Sequence, residues 1–421
     1  MMKKRAVKTI PVEALRRYRT KVPVWLLIAA LTSLIYGSAI QAVRADIPVT
    51  KILSGDPDWD DNFGSSVSVD GDVMAVGAEV EDGRGLQSGA AYIFERSGGN
   101  WTQVKKIYVS QPDGNDVFGC SVSVNNGRIL VGAYNGAAGR GAAYLFEKID
   151  GVCTETIRLT ALNDAFRFGY SVALNGDTAV IGAVSSNGYR GKAYVYERID
   201  GLWTGIAELE SGEAMDPGYS FTAYGCAVDV SGGIIAVGRA SDNTTATYGG
   251  SVYFFEKIDG NWTRTNKIYS PNHYTGQRFG FSLDLEGDTI VVGAIRDGSI
   301  GGSMGAAFIF THQDGAWVQS DALYPDEGGR IEYFGSSVCM DGSMICVGGP
   351  SEYTPYSPVY GHAYIFEKHG STWDKLTQLT SPQPSLSDLY GYSVALQGRY
   401  AYVGAMYDDS GGTNAGALLH M

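Results

Sequence analysis

Seven times along this chain an aromatic–glycine pair opens a short apolar strand, at intervals of 50 to 56 residues. The copies begin at Phe63-Gly64, Phe118-Gly119, Phe168-Gly169, Tyr224-Gly225, Phe279-Gly280, Phe334-Gly335 and Tyr390-Gly391. A fixed period of this length means one supersecondary unit stacked on its own copies. The seven copies therefore share one closed architecture, although a length of 421 residues alone would suggest two or three domains. Gly fills 57 positions and charged residues make up 18% of the chain, which suits a turn-dense all-β protein.

Each unit reads as four strands. In the second copy Phe118 to Val124 is the first, and Asn125-Asn126-Gly127 carries the Asn-Gly signal of a hairpin turn. Arg128 to Ala133 is the second, a loop to Arg140 leads into the third at 141–147, and Ile149-Asp150-Gly151 turns the chain into the fourth, Cys153 to Leu159. The third strand recurs with aromatics two residues apart, as in Tyr92 and Phe94 or Phe308 and Phe310. Such residues share one sheet face while the aliphatic residue between them takes the other, so both faces are buried. The fourth strand usually opens on tryptophan (Trp101, Trp203, Trp262, Trp317, Trp373), with Cys153 in its place in the second copy. Four antiparallel strands in each of seven units give an all-β, seven-bladed β-propeller. The last copy runs only to its third strand, Gly416 to Met421, whereas Val49 to Leu53 matches the pattern of a fourth strand, Val104 to Tyr108. The N-terminal strand is therefore expected to complete the last blade and close the ring.

The units resemble FG-GAP repeats, the family that forms the propeller of integrin α subunits and of many exported bacterial proteins. The pairing of Phe63-Gly64 with Val76-Gly77-Ala78, and of Phe279-Gly280 with Val292-Gly293-Ala294, carries the likeness over residues 47–421. There are departures: the proline of the family's motif survives only at Gly349-Pro350, and Arg239 replaces the alanine in the fourth copy. Calcium-binding members of the family join the first two strands by an acidic loop. Here that connection is a tight turn, such as Asp70-Gly71-Asp72 or Glu286-Gly287-Asp288, too short to supply six to eight oxygens. Calcium is not carried over, and no cofactor is expected. Asp56, Asp58 and Asp60 form the one weak metal candidate, set below a solvated acidic loop.

Residues 1–45 stand outside the repeats. Eight Lys and Arg between Lys3 and Lys21 precede an apolar run from Val22 to Gly37 and then small residues ending at Ala45. That order reads as a secretory signal, or a signal anchor, and places the 46–421 propeller outside the cytoplasm: secreted, periplasmic or at the cell surface. Without the leader 23 basic (32 − 9) and 44 acidic (45 − 1) side chains remain, a formal net of −21. Such a surface repels nucleic acid and anionic lipid, so neither is an expected partner, nor is membrane insertion of the propeller. The five cysteines lack CxxC spacing; Cys339 and Cys346 flank one turn and could pair, but small buried thiols are the favoured reading.

Function must sit where the copies differ. Turns between strands one and two, and three and four, are short and uniform, while the other connections are long and varied. The two kinds emerge on opposite faces, and the long-loop face is the expected binding surface. Its candidate ligand-binding residues are Arg84, Tyr134, Arg140, Tyr189, Arg190, Tyr248, Arg296, Tyr353, Tyr356 and Tyr407, types that favour protein or sugar recognition. No catalytic motif is found; Gly301-Gly302-Ser303-Met304-Gly305 imitates a nucleophile elbow but lacks the strand-to-helix setting. The leading expectation is a monomeric, non-catalytic propeller binding an extracellular protein or glycan. A polysaccharide-acting enzyme with acids at the channel mouth, and a structural envelope protein, stay open as alternatives.

Overall fold

The computed structural model describes residues 49–421 except 111, 113, 164, 185–190, 214–222, 326–332, 352–359 and 386; the leader expected at 1–45 lies outside the described residues. Seven four-stranded antiparallel sheets form the blades of a ring. Blade 1 has strands Phe63–Asp70, Val73–Ala78, Ala90–Ser97 and Asn100–Ile107, hydrogen-bonded in chain order, and blades 2 to 6 repeat that order. In blade 7, Tyr390–Gln397, Tyr400–Ala405 and Ala417–His420 are completed by Thr50–Ile52, with Thr50 opposite His420 and Ile52 opposite Leu418. The ring closes as the repeat requires. One helical turn, Gly136–Gly139, interrupts the second long loop. Among the described residues no helix is long and apolar enough to cross a membrane.

The motif residues are the seams between blades. Each motif aromatic is buried, and those of blades 1 to 6 pack edge-on or tilted against third-strand rings of their own blade, as Phe63 does on Tyr92 at 5.2 Å and Phe118 on Tyr144 at 5.6 Å. The following glycine lies where blades touch. A Cβ on Gly64 (φ +92°) would stand 2.5 Å from the Ala417 carbonyl oxygen, so only glycine fits. The serine two places on donates to the next blade's motif glycine: Ser66 to Gly119 O at 2.7 Å, Ser171 to Gly225 O at 2.9 Å and Ser282 to Gly335 O at 2.7 Å. Ser393 reaches Gly64 O at 2.8 Å, which carries the seam across the closure. Fourth-strand tryptophans also pack backwards onto the preceding blade: Trp317 stacks on Phe254 at 4.3 Å, and Trp101 meets Tyr402 at 5.8 Å.

Buried ion pairs tie the long loops to the outer strands. Lys106 binds Glu81 at 2.7 Å, Lys267 binds Asp242 at 2.8 Å and Lys51 binds Asp408 at 2.6 Å. Each acid lies just past a second strand and each lysine in the fourth strand of the same blade. Blade 3 exchanges the signs, with Lys192 on the third strand and Glu208 on the fourth at 2.5 Å. Blade 5 keeps the acid, Asp297, but has Ala322 at the lysine position; Asp297 is held by Asn272 and Ser299. All five cysteines are free thiols, with Cys339 directly opposite Cys346 across the sixth hairpin.

Candidate functional site at the axial mouth

A single turn, repeated seven times, builds the site. The residue before each motif aromatic (Asn62, Val117, Arg167, Ala223, Arg278, Tyr333, Leu389) has φ between 41° and 59°. Its carbonyl accepts the N–H of the residue three places on, from Ser65 N to Asn62 O at 3.1 Å round to Tyr392 N to Leu389 O at 3.0 Å. The aromatic–glycine pair therefore occupies the centre of a tight turn, with glycine at the place that needs positive φ. Pairing to the second strand slips at this point: Phe63 faces Ala78, yet Ser66 faces Gly77. A bulge of this kind re-aims a side chain out of the sheet's alternation. The re-aimed residue is the third of each copy: Ser65, Cys120, Tyr170, Cys226, Phe281, Ser336 and Tyr392.

First-strand residues of all seven blades line one axial channel. At its long-loop end lies a cavity of about 450 Å³, lined by Cys120, Tyr170, Cys226, Phe281, Ser336 and Tyr392 from the third-residue ring. A second ring, just past the second strands, adds Glu79, Tyr134, Ile295 and Pro350, with Tyr333 beside them. The walls are thus largely aromatic. Tyr134 and Tyr170 lie with ring centroids 5.5 Å apart. Arg167 stands over Tyr134 at 5.8 Å and Arg296 over Tyr333 at 5.5 Å, both exposed at the rim.

Glu79 is the only carboxylate among the described lining residues. It is half-buried and has no hydrogen bond or ion pair among the described residues. Burial pushes its carboxyl up to about 7. Its charge is felt by Cys120, Tyr134 and Tyr392, which places the carboxyl among them. Burial also pushes the Tyr170 hydroxyl and the Cys120 thiol up to about 12 and the Cys226 thiol up to about 11. Glu79 alone among these groups titrates near neutrality.

Of the described residues expected to bind, only Tyr134 lines this mouth, while Arg296 reaches the rim through Tyr333. Arg84 lies in a lateral groove over Tyr108 at 5.2 Å. Arg140 is exposed, Tyr248 and Tyr407 are half-buried on their loops, and Tyr189, Arg190, Tyr353 and Tyr356 lie outside the described residues. The acidic segment spends its carboxylates separately. Asp56 accepts from Tyr92 and Lys106, Asp60 from Asn414, and Asp58 from the Trp59 N–H. Among the described residues no three His, Cys, Asp or Glu side chains gather as a metal site.

With the turn, the seams and the closure in place, the family model described as FG-GAP repeat matches residues 48–94, 101–146, 154–196, 262–310 and 373–418. The chain belongs to the FG-GAP repeat family. Each match runs from the fourth strand of one blade through the third strand of the next, so the unit of sequence straddles two blades. The matches pass over the first three strands of blades 4 and 6, the units that carry Arg239 and Pro350, together with the fourth strands of blades 3 and 5. No curated protein matches the sequence.

Proposed function

We propose that this FG-GAP propeller is an exported, non-catalytic recognition protein that binds an extracellular protein or glycan through its long-loop face, centred on the axial mouth. The observation that carries the reading is the convergence of Tyr134, Tyr170, Phe281, Tyr333 and Tyr392 on one cavity. Aromatic side chains offer large, rigid contact area with a polar edge, the chemistry of protein and sugar recognition. The glycosidase alternative needs two carboxyls roughly 5–10 Å apart. The described lining supplies one, Glu79, which supports binding over hydrolysis. Export rests on the leader read in residues 1–45.

The test is a binding screen on immobilised glycans and extracellular proteins, repeated with Tyr134→Ala and Tyr392→Ala and with Asn126→Ala on the short-turn face. The expected result is a loss of at least about tenfold for the mouth variants and none for the control, as for hot-spot aromatics. A ligand indifferent to both mouth variants would refute the assignment of the face.

A further inference from the structure

Glu79 is more than a wall of the cavity. A half-buried carboxylate normally finds a cation or N–H donors within the protein, as Glu81 finds Lys106 two residues further on. Glu79 has neither among the described residues, and Tyr134, Tyr392 and Cys120 surround it. The rim arginines Arg167 and Arg296 lie over the rings of Tyr134 and Tyr333 and form no ion pair with it. Aromatic faces around one unpaired negative charge attract a cation with an apolar surface, through the ring quadrupoles and the carboxylate together. A guanidinium can also lie on such rings, as Arg167 and Arg296 do at the rim, but its five N–H donors would meet one described carboxylate, Glu79, and a metal ion needs six to eight oxygens.

We propose that the axial cavity is a binding site for an alkylammonium group, seated against the rings of Tyr134, Tyr170 and Tyr392 with Glu79 as its counter-ion. This deepens the recognition reading and rests on it: the ammonium is the part of the ligand that enters the axis, from a lysyl side chain or a choline-type head group. The site binds best with Glu79 ionised. Because burial holds that carboxyl near 7, affinity rises with pH between about 6 and 8 and levels off above. The groups that feel its charge, Cys120, Tyr134 and Tyr392, are all pushed up by burial and keep their protons through this range.

The experiment is a saturation-transfer NMR titration of the full chain with tetramethylammonium, n-butylammonium and the neutral isostere 3,3-dimethylbutanol, at pH 6 and pH 8. Tetramethylammonium carries a permanent charge, so any pH dependence belongs to the protein. The expected result is saturable binding of the ammonium ions, about tenfold tighter than the isostere at pH 8 and weaker at pH 6. Glu79→Gln, which keeps the shape, is expected to cost about tenfold and to flatten the pH profile. The ratio of butylammonium to tetramethylammonium affinity separates a lysyl from a choline-type source. Equal binding of the neutral isostere, an unchanged Glu79→Gln variant, or no saturation at pH 8 overturns the proposal. The two readings fail separately. A macromolecular ligand lost with Tyr392→Ala but kept with Glu79→Gln removes the ammonium alone; ammonium binding with no ligand on the long-loop face removes the recognition reading.

Discussion

At the scale of residues, charge is spent in two ways. Lys106 is buried against Glu81 and Asp56; burial pushes its ammonium down, but those bonds hold it above its ordinary value. Breaking such a pair leaves an uncompensated charge, whereas replacing both partners need not. Lys106→Met is expected to lower unfolding stability by about 3 kcal/mol in a urea titration, and adding Glu81→Gln to recover most of it. A neutral single variant would contradict the loop-anchoring role. Asp229 and Asp284 show the second way. Asp229 accepts from Leu285 N at 2.6 Å and Asp284 from Met340 N at 2.7 Å, so each stitches its first strand to the next blade. Burial pushes Asp229 up from 3.8 to about 6; burial and the charge of Asp229 push Asp284 well above its ordinary value. The native state therefore binds more protons than the unfolded chain. The stability these groups contribute is complete below pH 3.8 and falls as the pH rises through about 6. Asp284→Asn keeps the acceptor and removes one charge. It is expected to raise the melting temperature by roughly 2 °C at pH 8 and to change it little at pH 4, as calorimetry at the two pH values would show.

At the scale of elements, the left-handed turn before each aromatic is the unit of construction. Asparagine tolerates that backbone, but Val117 is β-branched and holds φ at 57°. Val117→Asn is expected to stabilise blade 2 by up to about 1 kcal/mol, read as a higher urea midpoint at unchanged slope. A lower midpoint would mean that the valine side chain contributes more than the strain it bears. The same turn explains what could be read from sequence and what could not. Strand boundaries, the third-strand aromatics and the seams were legible because Phe-Gly and Val-Gly-Ala repeat at fixed separation. The third residue of each copy sits inside that repeated motif, where the period alone marks it as scaffold. Yet it is the motif's most varied place, running Ser65, Cys120, Tyr170, Cys226, Phe281, Ser336, Tyr392. That variability was the available signal. Strand alternation hid it, since a bulge, and not the period of two, decides where these side chains point. Tyr134 is legible because it begins a long loop; Glu79, at the same place in the first copy, reads from sequence as no more than one of many loop acids.

At the scale of the whole molecule, closure makes the site. Tyr392 belongs to blade 7 and Glu79 to blade 1, so the two meet at the cavity only when the ring is complete. Three contacts between residues far apart in sequence close the ring: within blade 7 the Thr50–Ile52 ladder on Leu418–His420 and Lys51 on Asp408, and between blades 7 and 1 the Ser393 bond to Gly64. Repeat proteins gain stability from neighbouring interfaces, and an open ring loses one of its seven while exposing a strand edge. The most direct test is calorimetry of a chain lacking residues 46–54 beside the full-length protein. A single cooperative transition at a clearly lower temperature is the result that closure requires; an unchanged melting temperature would contradict it.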